Sequence, residues 1–508
     1  MQVLDATTGL RDRSARPESK RRLFWLICRA FWGIEPPMKH TKIIATFGPA
    51  IDDDARIKAL CHAGVNTFRI NCSHGNRDSF LAATGLIRRV AEKSEFPIGL
   101  LFDISGPKLR VGSFEGSIYV DADDRITLTT GAADLDTLVL GVNHPGIIAS
   151  LKVGEKVYID DGNLRFDVTD RNDRQVVLTA LNSGKLLPNK GINLPQTDLQ
   201  IPTIGDKDKE DIQTAVEAGA DFVAISFVRS GDEIVQAKRL IKQAGGNQPV
   251  IAKLERLEAM QRLQEILLVA DGVMVARGDL GVELPFEDVP RFQKEIISQA
   301  NRHRKPVIVA TQMLESMRFS PRATRAEVND VATAVYDYVD ALMLSAETAT
   351  GQYPLEAVQT MTQVINATEA VAERPDVRPD RILIESAPAN AIAEAVSRMG
   401  ADLEATAIMA FTTSGYTAQL MANLFPSQPI FALTPNADIM GRLTLHRGVY
   451  PVHTEYVETF DQLIKVVEQV NARCKIAGNG DQVMVTGGAP FGHQGTTNFL
   501  LVHEMGSN

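Results

Sequence analysis

The chain has 508 residues, 44% apolar and 23% charged, with a net charge of −10 at pH 7. That length is too great for one compact domain and predicts two to four. The negative charge argues against a nucleic-acid-binding surface, and no apolar run is long enough to span a bilayer. Four cysteines (Cys28, Cys61, Cys72 and Cys474) show no CxxC spacing, which implies reduced thiols and a cytoplasmic location.

The first stretch, residues 1–38, differs from the rest of the chain. Up to residue 37 it carries seven arginines and lysines against four acids, and both tryptophans, Trp25 and Trp32, lie in it. Arg29 interrupts its apolar run and no convincing cleavage site is present, so it does not read as a signal peptide. Its acids also argue against a transit peptide. It reads as an extension, disordered or not native, and a chain starting at Met38 is expected to fold and work.

From Thr41 a rhythm of short apolar runs and helical patterns begins. Strands are predicted at 42–47, 67–70, 98–102, 222–225, 250–252, 272–276, 307–310 and 341–344. Eight such alternations predict a (β/α)8 barrel rather than an open sheet. Most of the runs end in polar residues. Arg69, Asn71, Ser73 and His74 close or follow the second, Asp103 the third, Ser226 and Arg229 the fourth. Thr311 and Gln312 follow the seventh, Ser345 and Glu347 the eighth. Polar groups at successive strand ends belong at the mouth of such a barrel. Between the third and fourth strands, residues 112–200 alternate with period two and carry Asp-Gly and Asn-Ser-Gly turns. A small all-β insertion in a mouth loop is expected to act as a lid.

The stretch 249–284 concentrates the chemistry. Two apolar runs, each ending in charges, flank a helical pattern formed by Leu257, Met260, Leu263, Ile266 and Leu267. Strand alternation places Lys253 and Glu255 on one face, and Arg277 and Asp279 on one face, if the chain stays extended. Lys-x-Glu after a strand is usually a solvated turn, but the neighbouring Arg-Gly-Asp-Leu-Gly leaves backbone amides unobstructed. Two carboxylates beside an ammonium suit a divalent cation and a phosphate. After a charged, proline-bearing linker at 373–380, a β/α pattern resumes. Helices are expected near 391–399 and 418–424, and strands at 407–411, 430–433 and 482–486. The turn Thr412, Thr413, Ser414, Gly415, Tyr416, Thr417 precedes a helix and can cradle a phosphate, although such turns are mostly N-caps. A second glycine-rich loop spans 487–495.

The stretches TKIIATFGPA, FRINCSHG, DISGPKLR, YIDDG, KGINLP, AISFVR, IAKLE, VMVARGDLGVELP, ATQMLESM, TRAEVNDVATAV, LSAETATGQYP and RGVYP are distinctive. Through them the chain, over about residues 39–502, resembles the pyruvate kinase family. The resemblance implies an α/β fold in three parts. These are a (β/α)8 barrel catalytic domain (39–111 and 201–372), an inserted small β-barrel lid (112–200) and a C-terminal α/β regulatory domain (381–508). The implied reaction moves the phosphoryl group of phosphoenolpyruvate to ADP, giving pyruvate and ATP. Glu255 and Asp279 would hold Mg²⁺ or Mn²⁺, Lys253 would stabilise the transferring group and Arg69 would clamp the phosphate. Gly278, Asp279 and Thr311 would bind the substrate carboxylate. Thr311, near Ser345, lies where the family places proton delivery. Asn71, His74, Arg110 and Lys207 are matched to the nucleotide.

Departures from the family pattern sharpen the expectations. Ala346 and Thr350 replace a glycine and a lysine in LSAETATG, with little loss expected. Asn71, Ser73 and Asp103 match a monovalent-cation pocket, yet Ile104, Ser105 and Lys108 replace the threonine, lysine and glutamate of K⁺-requiring members. Lys108 is expected to substitute for K⁺, making K⁺ dispensable. The loop Thr412, Thr413, Ser414, Gly415 and Thr417 matches an effector-phosphate site. The final loop lacks the tryptophan and arginine typical of fructose 1,6-bisphosphate binders, which favours a sugar monophosphate or AMP. The family habit implies a homotetramer. Two rivals are weighed: a Mg²⁺-dependent lyase or aldolase of the same barrel class, which would lack the insertion, and a non-catalytic regulator, which should have lost one of Lys253, Glu255, Asp279 or Thr311.

Overall fold

The structure, a computed structural model, describes residues 38–94, 97–197, 201–372, 387–491 and 496–507. The extension 1–37, the linker 373–380 and residues 492–495 of the second glycine-rich loop lie outside the described residues. Eight parallel strands close a barrel: β1 (Lys42–Thr46), β2 (Thr67–Asn71), β3 (Gly99–Ile104), β4 (Phe222–Ile225), β5 (Val250–Leu254), β6 (Gly272–Ala276), β7 (Val307–Ala310) and β8 (Ala341–Leu344). Each pairs with the next in sequence, and β8 returns to β1 with Lys42 opposite Ala341. β1 and β4 to β8 are buried along their whole length, as expected of a parallel sheet covered on both faces. β1 shows the alternation. Ile43 and Ala45 pack against the outer helices, while Ile44 joins the barrel interior with Leu101, Phe222, Ala224, Ile251, Met274 and Met343. The helical pattern between β5 and β6 is two helices, Leu257–Gln261 and Leu263–Val269, parted at Arg262.

The insertion has its own apolar core. It is a six-stranded sheet curled into a half-barrel, with a separate two-stranded sheet made by Ile118–Val120 and Gly184–Leu186. The expected small barrel is thus open: the two edge strands of the six-stranded sheet do not meet.

The C-terminal domain is a five-stranded sheet in the order Val449–His453, Ile430–Thr434, Ala407–Phe411, Gln482–Gly487, Phe499–Glu504, with only the last strand antiparallel. Between its strands, residues 441–449 seal the barrel floor. Leu445 enters the interior cluster, fully buried. Thr444 Oγ1 meets Thr67 Oγ1 at 2.8 Å at the start of β2, and Lys42 Nζ donates to Val449 O at 2.6 Å under the Tyr450 ring. Gly441 lies so close to Asp221 that a Cβ there would fall 2.0 Å from a carboxylate oxygen. Leu445→Ala should lower unfolding stability by about 2–5 kcal/mol, because the plug is ringed by strands that cannot collapse onto a void. Denaturant unfolding measures it; a change under about 0.5 kcal/mol, the range of an ordinary surface substitution, would contradict the plug.

No helix among the described residues is long and apolar enough to cross a membrane.

Candidate active site

Strand parity assembles the mouth. Ile44, Leu101, Ala224, Ile251 and Met343 face the interior, so Thr46, Asp103, Ser226, Lys253, Glu255 and Ser345 continue that face toward the C-terminal rim. In β2, Phe68 and Ile70 face the helices, which turns Arg69 and Asn71 inward. The inward groups form one network. Arg69 donates through Nε to Asp103 Oδ2 at 2.7 Å and through Nη1 to Thr46 Oγ1 at 3.1 Å. Lys253 Nζ donates to Ser226 Oγ at 2.7 Å, lying 3.2 Å from Asp103 Oδ1 and 3.0 Å from Glu255 Oε1. Burial pulls the Lys253 ammonium down, but Asp103 and Glu255 outweigh it and hold the group at about 12. Burial raises Asp103, yet Lys253 and Arg69 keep it below its ordinary value. Lys253 therefore stays charged in a buried site, where it acts most strongly on a phosphate.

Glu255 is fully buried. Its Oε2 accepts the Phe227 amide at 2.7 Å, while Oε1 has no hydrogen-bond partner among the described residues. Burial raises its pKa against the pull of Lys253, and Asp279 raises it further. Oε1 faces the Lys253 ammonium at 3.0 Å, and a buried carboxylate with a second carboxylate near enough to repel it suits a divalent cation. Among the described residues no three His, Cys, Asp or Glu gather around one point. Two carboxylates would leave the remaining oxygen positions to water and substrate, the habit of Mg²⁺.

One expectation is corrected here. β6 ends at Ala276 and the helix Arg277–Glu283 starts at once, so Arg277 and Asp279 lie about 200° apart rather than on one face. Arg277 turns away to Asp330 (2.6 Å) and to the Thr311 and Gln312 carbonyls (2.8 and 3.1 Å). Its role is to brace those two residues, whose φ values of 70° and 54° are uncommon, and for β-branched Thr311 a genuine outlier. The brace places Thr311 Oγ1 to accept the Gly278 amide at 2.8 Å. Ser345 follows β8, the neighbour of β7, and its buried Oγ has no partner among the described residues. Its amide donates to Glu347 Oε2 at 2.7 Å, and the other Glu347 oxygen takes the Leu314 amide at 3.1 Å.

Above the mouth, a cavity of about 290 Å³ lies between barrel and insertion. Lys108, Arg110, Asp161, Lys190, Asp279 and Glu283 are among the residues that line it. Asn71 accepts the Ser73 amide through Oδ1 at 3.1 Å, and Arg110 donates to Asn189 O at 2.7 Å. Burial first, then Lys108, Arg110 and Arg69, pull His74 below its ordinary value. Burial, Arg110 and Lys253 lower Lys108, against Asp279 and Asp103. The cations thus form a single positive field suited to a polyanion. Lys207 does not line the cavity: it is held by Asp211 Oδ2 (2.5 Å) and Cys72 O (2.9 Å). The lysine that does is Lys190, paired with Asp160 at 2.7 Å. It sits in the KGINLP stretch, which was the available signal. Thr46 was also missed, although its parity with Ile44 marks it.

In the C-terminal domain, Thr412, Thr413, Ser414 and Thr417 line a cavity of about 50 Å³ with Tyr456 and Phe491. Gly415, at φ 89°, caps the helix Tyr416–Ala422 and donates its amide to Thr412 Oγ1 at 2.9 Å. Thr417 Oγ1 meets Thr497 Oγ1 at 2.9 Å.

A parallel eightfold barrel whose rim gathers buried cations and carboxylates is that of an enzyme acting on a small anionic substrate. Residues 38–358 match the barrel domain of pyruvate kinase and residues 390–503 its alpha/beta domain. A pyruvate kinase of Methylorubrum extorquens is 40% identical over 466 residues, covering 91% of this chain and 97% of the relative. One from Geobacillus stearothermophilus is 38% identical over 472 residues, covering 92% and 80%. The crystal structure of a pyruvate kinase from Cryptosporidium parvum superposes with a TM-score of 0.86 at 32% identity, over 92% of this chain and 96% of that one. The chain belongs to the pyruvate kinase family, and it is a phosphotransferase.

Proposed function

We propose that the protein transfers the phosphoryl group of phosphoenolpyruvate to ADP, giving pyruvate and ATP. The observation that carries this reading is the buried Arg69–Asp103–Lys253–Glu255 network. Glu255 and Asp279 would hold Mg²⁺ or Mn²⁺, which when bound supplies charge neutralisation at the phosphoryl oxygens. Arg69 clamps the phosphate, and Lys253 meets the charge that spreads over the equatorial oxygens as the group transfers. The Gly278–Asp279 amides and Thr311 orient the substrate carboxylate, while Thr311 and Ser345 stand on the side from which a proton reaches the enolate carbon. Asn71, His74 and Arg110 serve the nucleotide, with Lys207 acting from beneath through the Cys72 turn. The insertion (112–200) closes over the barrel (39–111 and 201–372) as a lid. The C-terminal domain (381–508) takes a phosphorylated effector at Thr412, Thr413, Ser414, Gly415 and Thr417, with a sugar monophosphate or AMP favoured. The working form is a cytoplasmic homotetramer. Pyruvate release coupled to NADH oxidation tests the reaction: it should require ADP and a divalent cation. ADP-independent release would favour the lyase or aldolase reading.

Lys108 is the proposed substitute for K⁺, with Asn71, Ser73 and Asp103 as the remains of the pocket. Its Coulombic neighbours include the carboxylates of Asp279 and Asp103, and its Nζ makes no ion pair among the described residues. A fixed ammonium there supplies the charge that a bound cation otherwise provides. Activity in tetramethylammonium should match that in K⁺ at equal ionic strength, and Lys108→Glu should become partly K⁺-dependent. Strong K⁺ activation of the unaltered protein would contradict this assignment.

A further inference from the structure

We propose that Asn193 is a positioning residue that latches the insertion onto the helix carrying Asp279, acting through Glu283. The inference rests on the nucleotide-binding part of the reading above. Asn193 ends the short strand Ile192–Asn193, which pairs with Lys156–Ile159 and so belongs to the insertion sheet. Its side-chain amide donates to Glu283 Oε1 at 3.2 Å. Glu283 lies one turn beyond Asp279 on the helix Arg277–Glu283, on the same face. Its side chain is 2% exposed. Its other oxygen, Oε2, has no hydrogen bond among the described residues, with Arg256 3.8 Å away.

One further contact reaches the same region: Arg256 donates to Leu194 O at 3.4 Å. The insertion therefore meets the active-site helix and its arginine neighbour at two points. A carboxylate buried to this degree is unfavourable unless satisfied, so it holds the insertion in place by needing the Asn193 amide. Asn193, Arg256 and Glu283 line the same cavity as Arg110, Lys190 and Asp279. Seating the insertion thus completes the nucleotide side of the site, without Asn193 touching a reacting atom.

The test is Asn193→Ala in the full chain, with kcat, the KM values for ADP and phosphoenolpyruvate, Mn²⁺ affinity without nucleotide by electron paramagnetic resonance, and Tm. The KM for ADP should rise about tenfold, the scale of one hydrogen bond to a charged group. The other quantities should stay within twofold, and Tm within a few degrees. Glu283→Gln keeps an acceptor for Asn193 and should raise the KM for ADP less than threefold. The double variant should be no worse than Asn193→Ala. An unchanged KM for ADP, or a fall in Tm with both KM values rising together, overturns the latch. Should the unaltered protein make no ATP from phosphoenolpyruvate and ADP, the functional reading fails, and small-angle scattering decides the latch separately. A larger radius of gyration for Asn193→Ala would uphold it, and an unchanged one would overturn it.

Discussion

Lys253→Met is expected to cut turnover by roughly 10³-fold or more, the scale of a charge that acts on the transition state. The ammonium is held by Ser226, Asp103 and Glu255 at 2.7, 3.2 and 3.0 Å, which fixes its place at the mouth. Methionine fills a similar volume and keeps the packing. The charge balance after substitution is tolerable, because Arg69 still pairs Asp103 at 2.6 Å. Glu255 keeps the Phe227 amide on Oε2 at 2.7 Å, so its segment stays anchored and the assigned cation site is left in place. The fold and melting temperature should therefore change little while kcat collapses. Turnover within tenfold of the unaltered protein would show that Lys253 is a structural counter-ion only.

Glu255→Gln should weaken Mn²⁺ binding by more than about 100-fold. Outer-shell partners of metal ligands already cost 10–100-fold when lost, and Glu255 is assigned to the inner shell. Glutamine retains the Oε atom that accepts the Phe227 amide, so the segment after β5 should keep its course. The change removes the anion and little else, which separates ligation from folding. Electron paramagnetic resonance of free Mn²⁺ reads the affinity without relying on activity. An affinity within threefold of the unaltered protein would place the cation elsewhere.

The barrel was legible because its strands are continuous apolar runs, and period-two logic carried Lys253 and Glu255 correctly onto one face. The same logic failed at Arg277, where a helix replaces the strand with no intervening residue. No apolar pattern marks that switch, since both states bury Leu280. The strand Val449–His453 was not predicted. Pro451 argues against a strand, and it is tolerated because this strand lies at the sheet edge. The floor plug was invisible for another reason: Leu445 looks like any leucine of the C-terminal domain, and only tertiary packing puts it inside the barrel. Lys207 and Lys190 illustrate a similar limit. Each is a lysine in a polar segment, and only the fold of the insertion shows that Lys190 reaches the cavity while Lys207 pairs with Asp211.

The most direct test of the central claim tracks the phosphoryl group itself. Phosphoenolpyruvate labelled with ³²P is mixed with excess protein, ADP and Mg²⁺, quenched within one turnover and separated. Label should appear in the γ-phosphate of ATP in step with pyruvate, with no comparable transfer by Lys253→Met. Label appearing as inorganic phosphate, or remaining on a three-carbon product while ADP is unchanged, would contradict the claim.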